Sequence, residues 1–387
     1  MPADATADRS RRDACPGAVT VHRAADGGLA RIRVPGGTLT KAQFKAVLTA
    51  SAAFGDGQLE LTSRANIQIR GLLAGAEARL AERLCAAGLL PSVSHERVRN
   101  IIASPLGGDQ PLVDELDREL CSWPELADLP GRFLVTIDSR GDVSGLGGDV
   151  GLARVGPVGT DWALLLAGQD TGVRVPESQT VTTVIAAAQA FLVERAQQGC
   201  AAWRLTELVE GPQRVLRRLA LPITRHRVEV RPSLPLATGF AGPRTLVVGA
   251  PLGRLDAAQG SELLRVAGST LRLTPWRSIV LGDVAPGTVV GRDLITDPRS
   301  PWHGVTSCAG MPGCVKSLAD VRADAAAWLR AEPEPSSRRV HWAGCSRRCG
   351  RPQGEVVDVV ATAGGYEVDD KYTVDTAAAL AVARRDK

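Results

Sequence analysis

The 387-residue chain reads as a mixed α+β and α/β protein built from two tandem repeats about a pseudo-twofold axis. Three features predict this. First, the text Gly37-Thr38-Leu39-Thr40-Lys41-Ala42-Gln43, a helical stretch and Leu59 to Ile69 recurs as Gly253-Arg254-Leu255-Asp256-Ala257-Ala258-Gln259, a helical stretch and Leu271 to Leu281. The offset is 216 residues at the helix start and 212 at the strand, so order, spacing and identity agree together. Second, the segments C-terminal to the two copies are comparable: Phe133 to Ile137 with a Gly-rich Ser144 to Gly151, against Val340-His341-Trp342 and Glu355 to Val360. Third, Cys308, Cys314, Cys345 and Cys349 form two close pairs confined to the second copy.

Each element has a local reason. Thr40 and Asp256 are predicted N-caps, because a short side-chain oxygen there satisfies free N–H groups of the first turn. The alternating apolar positions of Leu59 to Ile69 and of Leu271 to Leu281 predict a strand in each copy. The expected division is residues 15–90, a first α+β unit; 91–225, a first α/β unit without ligand cysteines; 226–292, a second α+β unit; and 293–387, a second α/β unit carrying the cysteines. Two such halves would leave a large cleft between them. Glu332 to Ser337 reads as an exposed loop, and the segments before Arg11 and after Asp375 as frayed ends.

The cysteine pairs, CxxxxxC and CxxxC, lie among Gly310, Pro312, Gly313, Gly344, Gly350 and Pro352. A cubane [4Fe-4S] cluster needs four thiolates converging from tight turns whose backbone also points N–H groups at the sulfides. Structural zinc competes, although CxxxxxC is wide for a zinc knuckle. Disulfides are disfavoured by the compartment: Met1 to Arg12 is charged, without the apolar stretch of a secretory signal, and the longest apolar run, near Trp162 to Ala167, is too short to span a bilayer. The expectation is a soluble, cytoplasmic protein. Cys85, Cys121 and Cys200 read as small core residues, and Cys15, before a Pro-Gly turn, is assigned no role.

The net charge is only +4, with 44% hydrophobic and 4% aromatic residues, ample for packed cores. Five of the 46 basic residues are lysine, leaving 41 arginines. That bias reflects genome composition or, functionally, repeated bidentate capture of carboxylates. No basic block or basic amphipathic helix points to nucleic acid or membrane. Gly145-Leu146-Gly147-Gly148 lacks the strand, helix start and downstream acid of a dinucleotide fold, so electrons would come from a separate reductase or ferredoxin.

These residues resemble the sulfite and nitrite reductase superfamily over nearly the whole chain. The resemblance implies ferredoxin-like half-domains, each followed by a sulfite/nitrite reductase-type α/β domain. Arg11 to Gly17, the Val34-Pro35-Gly36-Gly37 step and Leu61 to Gly71 are similar to the branch of aerobic cobalamin biosynthesis. That branch, as the resemblance implies, hydroxylates C20 of precorrin-3A with dioxygen and reducing equivalents and closes a γ-lactone. Residue by residue, Arg64 and Arg99 match two distal-side cations of the reductases. The pair of lysines flanking a Phe there becomes Arg132-Phe133-Leu134 here, so one cation is replaced by Leu134. The implied catalytic and substrate-binding arginines are therefore Arg64, Arg99 and Arg132, with Asn66, Gln68 and Asn100 as neutral hydrogen-bond donors. The metal ligands are Cys308, Cys314, Cys345 and Cys349, with Lys316, Arg347, Arg348 and Arg351 as cations around them. A mononuclear nonheme iron is associated with the branch, but its ligands are not apparent. His303 and His341 lie near the cysteines in sequence, more consistent with packing or capping. The alternatives are a siroheme-dependent sulfite or nitrite reductase, with siroheme as cofactor, and a noncatalytic cluster-bearing carrier.

Overall fold

The first repeat opens with β1 (His22–Ala24), β2 (Gly27–Ile32), β3 (Thr38–Thr40), α1 (Lys41–Phe54), β4 (Leu59–Leu61), β5 (Ile67–Leu72) and α2 (Glu77–Ala86). Its α/β part contains β6 (Ile101–Ala103), α3 (Gln110–Ser122), β7 (Val135–Asp138), β8 (Val150–Arg154), β9 (Trp162–Leu166), β10 (Gln169–Val175), α4 (Thr180–Gln197) and α5 (Gly211–Leu219). The second repeat begins with β11 (Gly239–Gly242), β12 (Thr245–Gly249), β13 (Arg254–Leu255), α6 (Ala257–Val266), β14 (Thr270–Leu273) and β15 (Ser278–Leu281). It closes with β16 (Val305–Ser307), α7 (Val321–Ala331), β17 (Arg339–Ala343), β18 (Val356–Thr362), β19 (Gly365–Val368) and β20 (Lys371–Thr373). This computed structural model describes residues 15–156, 161–224, 226–291, 293–331, 338–352, 354–373, 376 and 380. The predicted loop Glu332 to Ser337, the N-terminal segment through Arg12, and Arg11 to Ala14 of the opening motif lie outside them. Of the segment after Asp375 only residues 376 and 380 are among them, and Leu380 is fully buried in the last α/β core.

Four five-stranded sheets repeat one plan twice. The orders β1-β2-β5-β4-β13 and β11-β12-β15-β14-β3 are the same order in the two copies, except that each sheet takes its last strand from the other copy. Leu255 pairs with Leu59, and Leu39 with Leu271, in corresponding registers. In each α/β part three parallel strands are followed by two antiparallel ones: β6-β7-β8-β9-β10 and β16-β17-β18-β19-β20.

The caps form as expected. Thr40 Oγ1 accepts the Gln43 N–H at 3.1 Å and Asp256 Oδ1 the Gln259 N–H at 2.7 Å, and each glutamine returns a bond to the cap backbone. From these caps α1 buries Phe44, Val47, Leu48, Ser51 and Phe54, one face at helical spacing. One apolar core then runs through both half-domains, joining Leu39, Phe44 and Ile69 to Leu255, Leu263 and Leu271. α1 and α6 meet where a Cβ on Gly260 would come within 2.7 Å of the Leu48 side chain, so glycine allows that approach without displacing the leucine.

The single strands expected over Leu59 to Ile69 and Leu271 to Leu281 are hairpins. In the first, the Thr62 N–H donates to Asn66 O at 3.0 Å and the Asn66 N–H to Thr62 Oγ1 at 3.0 Å, while Ala65 turns through φ +53°. Thr274 and Ser278 make the same pair of bonds, with Arg277 at φ +59°. The apolar alternation continued across the turn and concealed it. Among the described residues no helix is long and apolar enough to cross a membrane.

Candidate functional site

Arg64 therefore sits on a turn, not within a strand. Its Nη1 donates to Gly131 O at 3.1 Å. Burial, and next the nearby Arg204, pull its pKa down to about 10. The same Gly131 carbonyl accepts from Asn100 Nδ2 at 2.9 Å. Asn100 Oδ1 in turn receives Asn66 Nδ2 at 3.2 Å, and Asn66 Oδ1 takes the Val34 N–H at 2.9 Å. Both asparagines are buried, and these bonds fix the Arg64 turn to the first α/β part.

The other expected residues occupy different settings. Arg132 is exposed, its guanidinium 4.7 Å from the ring centroid of Trp203, a cation–π contact. Leu134 is buried with Ile102 and Val143, with Trp276 of the second copy packed on them. Its N–H donates to Asp149 at 2.8 Å, and Asp149 also ion-pairs with Arg204 at 2.8 Å. Arg99 is 4% exposed and committed elsewhere: Nε donates to Asp117 on α3 at 2.7 Å, and Nη1 to Leu89 O at 3.3 Å. Removing one partner of such a pair strands the other's charge. Arg99→Ala is thus expected to destabilise the fold by about 3 kcal/mol, read as a lower denaturant midpoint.

Gln68 stands on a polar sheet face that sequence reasoning did not assemble. Ile67 and Ile69 point into the core, so the intervening positions face the other way. Gln68 accepts from Arg31 Nε at 2.9 Å and donates to Glu60 at 3.2 Å. Glu60, 7% exposed, pairs with Arg322 on α7 at 2.6 Å, with Arg254 at 3.6 Å and, most distantly, Arg70 at 4.0 Å. Arg31 also acts electrostatically on Arg64. One polar face thus runs from the Arg64 turn to the cysteine-bearing α/β part. Its signal was the polar alternation of Glu60, Gln68 and Arg70, hidden by reading each position singly.

The cysteines leave the C-terminal ends of parallel strands, Cys308 after β16 and Cys345 after β17. Their loops are laced: Cys308 N–H to Trp342 O at 2.9 Å, Leu318 N–H to Gly344 O at 2.8 Å, Ser317 N–H to Cys314 O at 3.0 Å. The Gly344 N–H points at Cys308 Sγ, 3.1 Å away. All four thiols are free. Cys349's pKa is raised by burial first, and Cys308, Cys345 and Cys314 add to it, so the sulfurs feel one another. They do not close on a point: among the described residues no three His, Cys, Asp or Glu side chains are placed to hold a single ion. A cubane takes each thiolate on its own iron, so it does not require the sulfurs to meet at one ion, and the Gly344 N–H on Cys308 Sγ is the kind of donor that such a site uses. A mononuclear iron finds no ligand set among the described residues.

Several expectations nearby change. Arg348 pairs with Asp370 at 2.6 Å and Asp358 at 3.3 Å, and Arg351 with Asp358 at 2.9 Å, so two of the four anticipated cations are already compensated. His303 Nε2 is hydrogen-bonded to Thr238 Oγ1 and Asp297 O, each at 2.9 Å. His341 is fully buried against Thr306 Oγ1 at 2.9 Å, and burial followed by Arg277 pulls its pKa to about 4. Cys85 and Cys200 are exposed rather than core residues; the small thiol suits either place. Cys121 is half-buried against the first α/β core.

At the corresponding point of the first repeat the cysteine position is occupied by Ser104, whose N–H meets Ile137 O at 3.0 Å as that of Cys308 meets Trp342 O. Here Asp138, 1% exposed, organises the loop instead. Its Oδ1 accepts N–H groups from Arg140, Gly141 and Asp142 and the Ser104 hydroxyl, and its Oδ2 those from Val143 and Ser144, at 2.6–3.2 Å.

Two ferredoxin-like half-domains, two α/β domains and a cysteine set in the second alone define the sulfite and nitrite reductase class of architecture, and the comparisons agree. Residues 22–87 match the nitrite/sulfite reductase ferredoxin-like half domain. The solved Mycobacterium tuberculosis NirA protein superposes with a TM-score of 0.65 at 18% identity, over 88% of this chain and 73% of that one. Among relatives in sequence, a precorrin-3B synthase from Sinorhizobium sp is 27% identical over 380 residues, 92% of this chain and 82% of the relative. A ferredoxin–nitrite reductase from Synechococcus elongatus is 26% identical over 386 residues, 84% of this chain and 74% of the relative.

Proposed function

We propose that the chain is an iron–sulfur oxidoreductase acting on a tetrapyrrole: it hydroxylates precorrin-3A at C20, using dioxygen and electrons from a separate reductase or ferredoxin, and gives the γ-lactone precorrin-3B. The observation that carries this reading is the gathering of Cys308, Cys314, Cys345 and Cys349 on two laced loops, across from an arginine-studded sheet face. A [4Fe-4S] cluster there supplies one-electron transfer. The chain's own residues bind and orient.

Arg64, held by Gly131 yet with its charge incompletely compensated, serves a substrate carboxylate. Arg132, propped on Trp203, reaches a second. Arg99 acts on the substrate through the backbone it fixes, next to Asn100. Asn66 and Asn100 hold the Arg64 turn, and Gln68 joins Arg31 to Glu60 along the same face. Leu134, packed under Trp276, puts an apolar surface where a reductase carries a cation. That suits neutral dioxygen better than sulfite or nitrite.

The deciding experiment is an anaerobic optical and EPR spectrum of the purified protein, with iron, sulfide and siroheme extraction, before and after precorrin-3A. A tetranuclear cluster without siroheme, perturbed by the tetrapyrrole, supports the proposal; bound siroheme replaces it with a sulfite or nitrite reductase. Arg64→Ala is expected to weaken precorrin-3A binding about tenfold or more, the loss of one charged hydrogen bond, in an absorbance titration. Unchanged affinity would remove Arg64 from the site.

A further inference from the structure

Arg70 lies on β5 in the first half-domain, yet its guanidinium reaches the cysteine loop of the other repeat. Nη2 donates to Gly313 O at 2.5 Å, one peptide bond from Cys314. Asp26 grips the same group, Nε to Oδ2 at 2.8 Å and Nη2 to Oδ1 at 3.1 Å. The Arg70 side chain is 8% exposed, so its charge is weakly screened. A Cβ on Gly313 would stand 2.9 Å from Arg70 Nη2 and 3.1 Å from Asp26 Oδ2; glycine there lets the guanidinium seat against the loop. Like Arg348 and Arg351 it is paired to a carboxylate, but Arg70 is a buried cation brought to this loop, with its Asp26 partner, from outside the cysteine-bearing domain.

We propose that Arg70 and Asp26 set the reduction potential of the cluster at Cys314 with opposite signs. The inference rests on the four-cysteine reading above. When a one-electron donor reduces the cluster, the cluster gains one negative charge. A fixed cation beside a ligand favours that state and a fixed carboxylate opposes it. Arg70 raises the potential and Asp26 restrains it. Because the guanidinium fork engages Asp26 and Gly313 together, lysine keeps the charge while losing that geometry.

The test is an EPR-monitored potentiometric titration of the wild-type chain, Arg70→Gln, Arg70→Lys and Asp26→Asn, each reconstituted anaerobically, with iron and sulfide determined alongside. The expected results are a more negative midpoint for R70Q, a more positive one for D26N and a near wild-type value for R70K, at equal cluster content. Unchanged midpoints, or shifts of one sign in both R70Q and D26N, would overturn the proposal and leave a purely mechanical tether. If R70Q fails to hold its cluster, the direction of the D26N shift decides. A wild-type chain that takes up no iron and sulfide would instead defeat the four-cysteine reading, and this inference with it.

Discussion

A chain in which Cys345 and Cys349 are both alanine is expected to incorporate no iron–sulfur cluster and, under the proposed function, to lose tetrapyrrole turnover completely. The two thiols occupy one of two loops joined by the Leu318–Gly344 bond, and removing both leaves Cys308 and Cys314 on one side only. Half a ligand set cannot complete four iron–thiolate bonds. The fold should persist, because the core of this domain is built from Val321, Trp328, Leu329, Val340, Trp342 and Val357, none of them a ligand. Acid-labile sulfide and iron per chain provide the readout, with circular dichroism to verify folding. Cys85→Ala and Cys200→Ala, which change exposed thiols elsewhere, should leave the metal content at the wild-type level. Sulfide retained in the double variant would refute the ligand assignment.

The second large effect concerns stability. Asp138→Ala is expected to cost roughly 4 kcal/mol, because five backbone N–H groups and the Ser104 hydroxyl lose one buried acceptor together. The carboxylate's pKa lies below its ordinary value: burial pushes it up, but the bonds from Ser144 and from the backbone outweigh burial. A depressed folded-state pKa contributes stability that is complete above the unfolded value of about 4 and is lost as pH falls through the folded value. The gap between wild type and D138A in urea midpoint should therefore be widest near neutrality and narrow below about pH 4. A constant gap across that range would show that packing, not charge, is responsible.

Much of the architecture was legible because it is written twice. Thr40 and Asp256 carry the same cap with the same glutamine three residues on, and local chemistry of that kind needs no tertiary information. The hairpins escaped notice because Thr62 and Thr274 turn the chain with side-chain oxygens, while the apolar alternation continues beyond them. The cysteine loops could be read from spacing. The surroundings of Arg99 could not: its partner Asp117 is eighteen positions away on a helix, and nothing in Val98-Arg99-Asn100 distinguishes an arginine facing a substrate from one facing α3. The Arg70–Gly313 contact spans 243 positions and exists only because the two repeats pack together.

The reciprocal loan of β3 and β13 also bears on how such a molecule can arise and be taken apart. One copy alone would expose an unpaired edge at β4 or β14, a template for indiscriminate association. A second identical copy across a twofold axis would cover both edges at once, as in a strand-swapped homodimer. Joining the copies in one polypeptide keeps that closure while freeing them to diverge, so one can hold cysteines where the other has Ser104 and the Asp138 clamp. Cutting the chain between the repeats should accordingly yield fragments that are insoluble singly and recover when refolded as a pair.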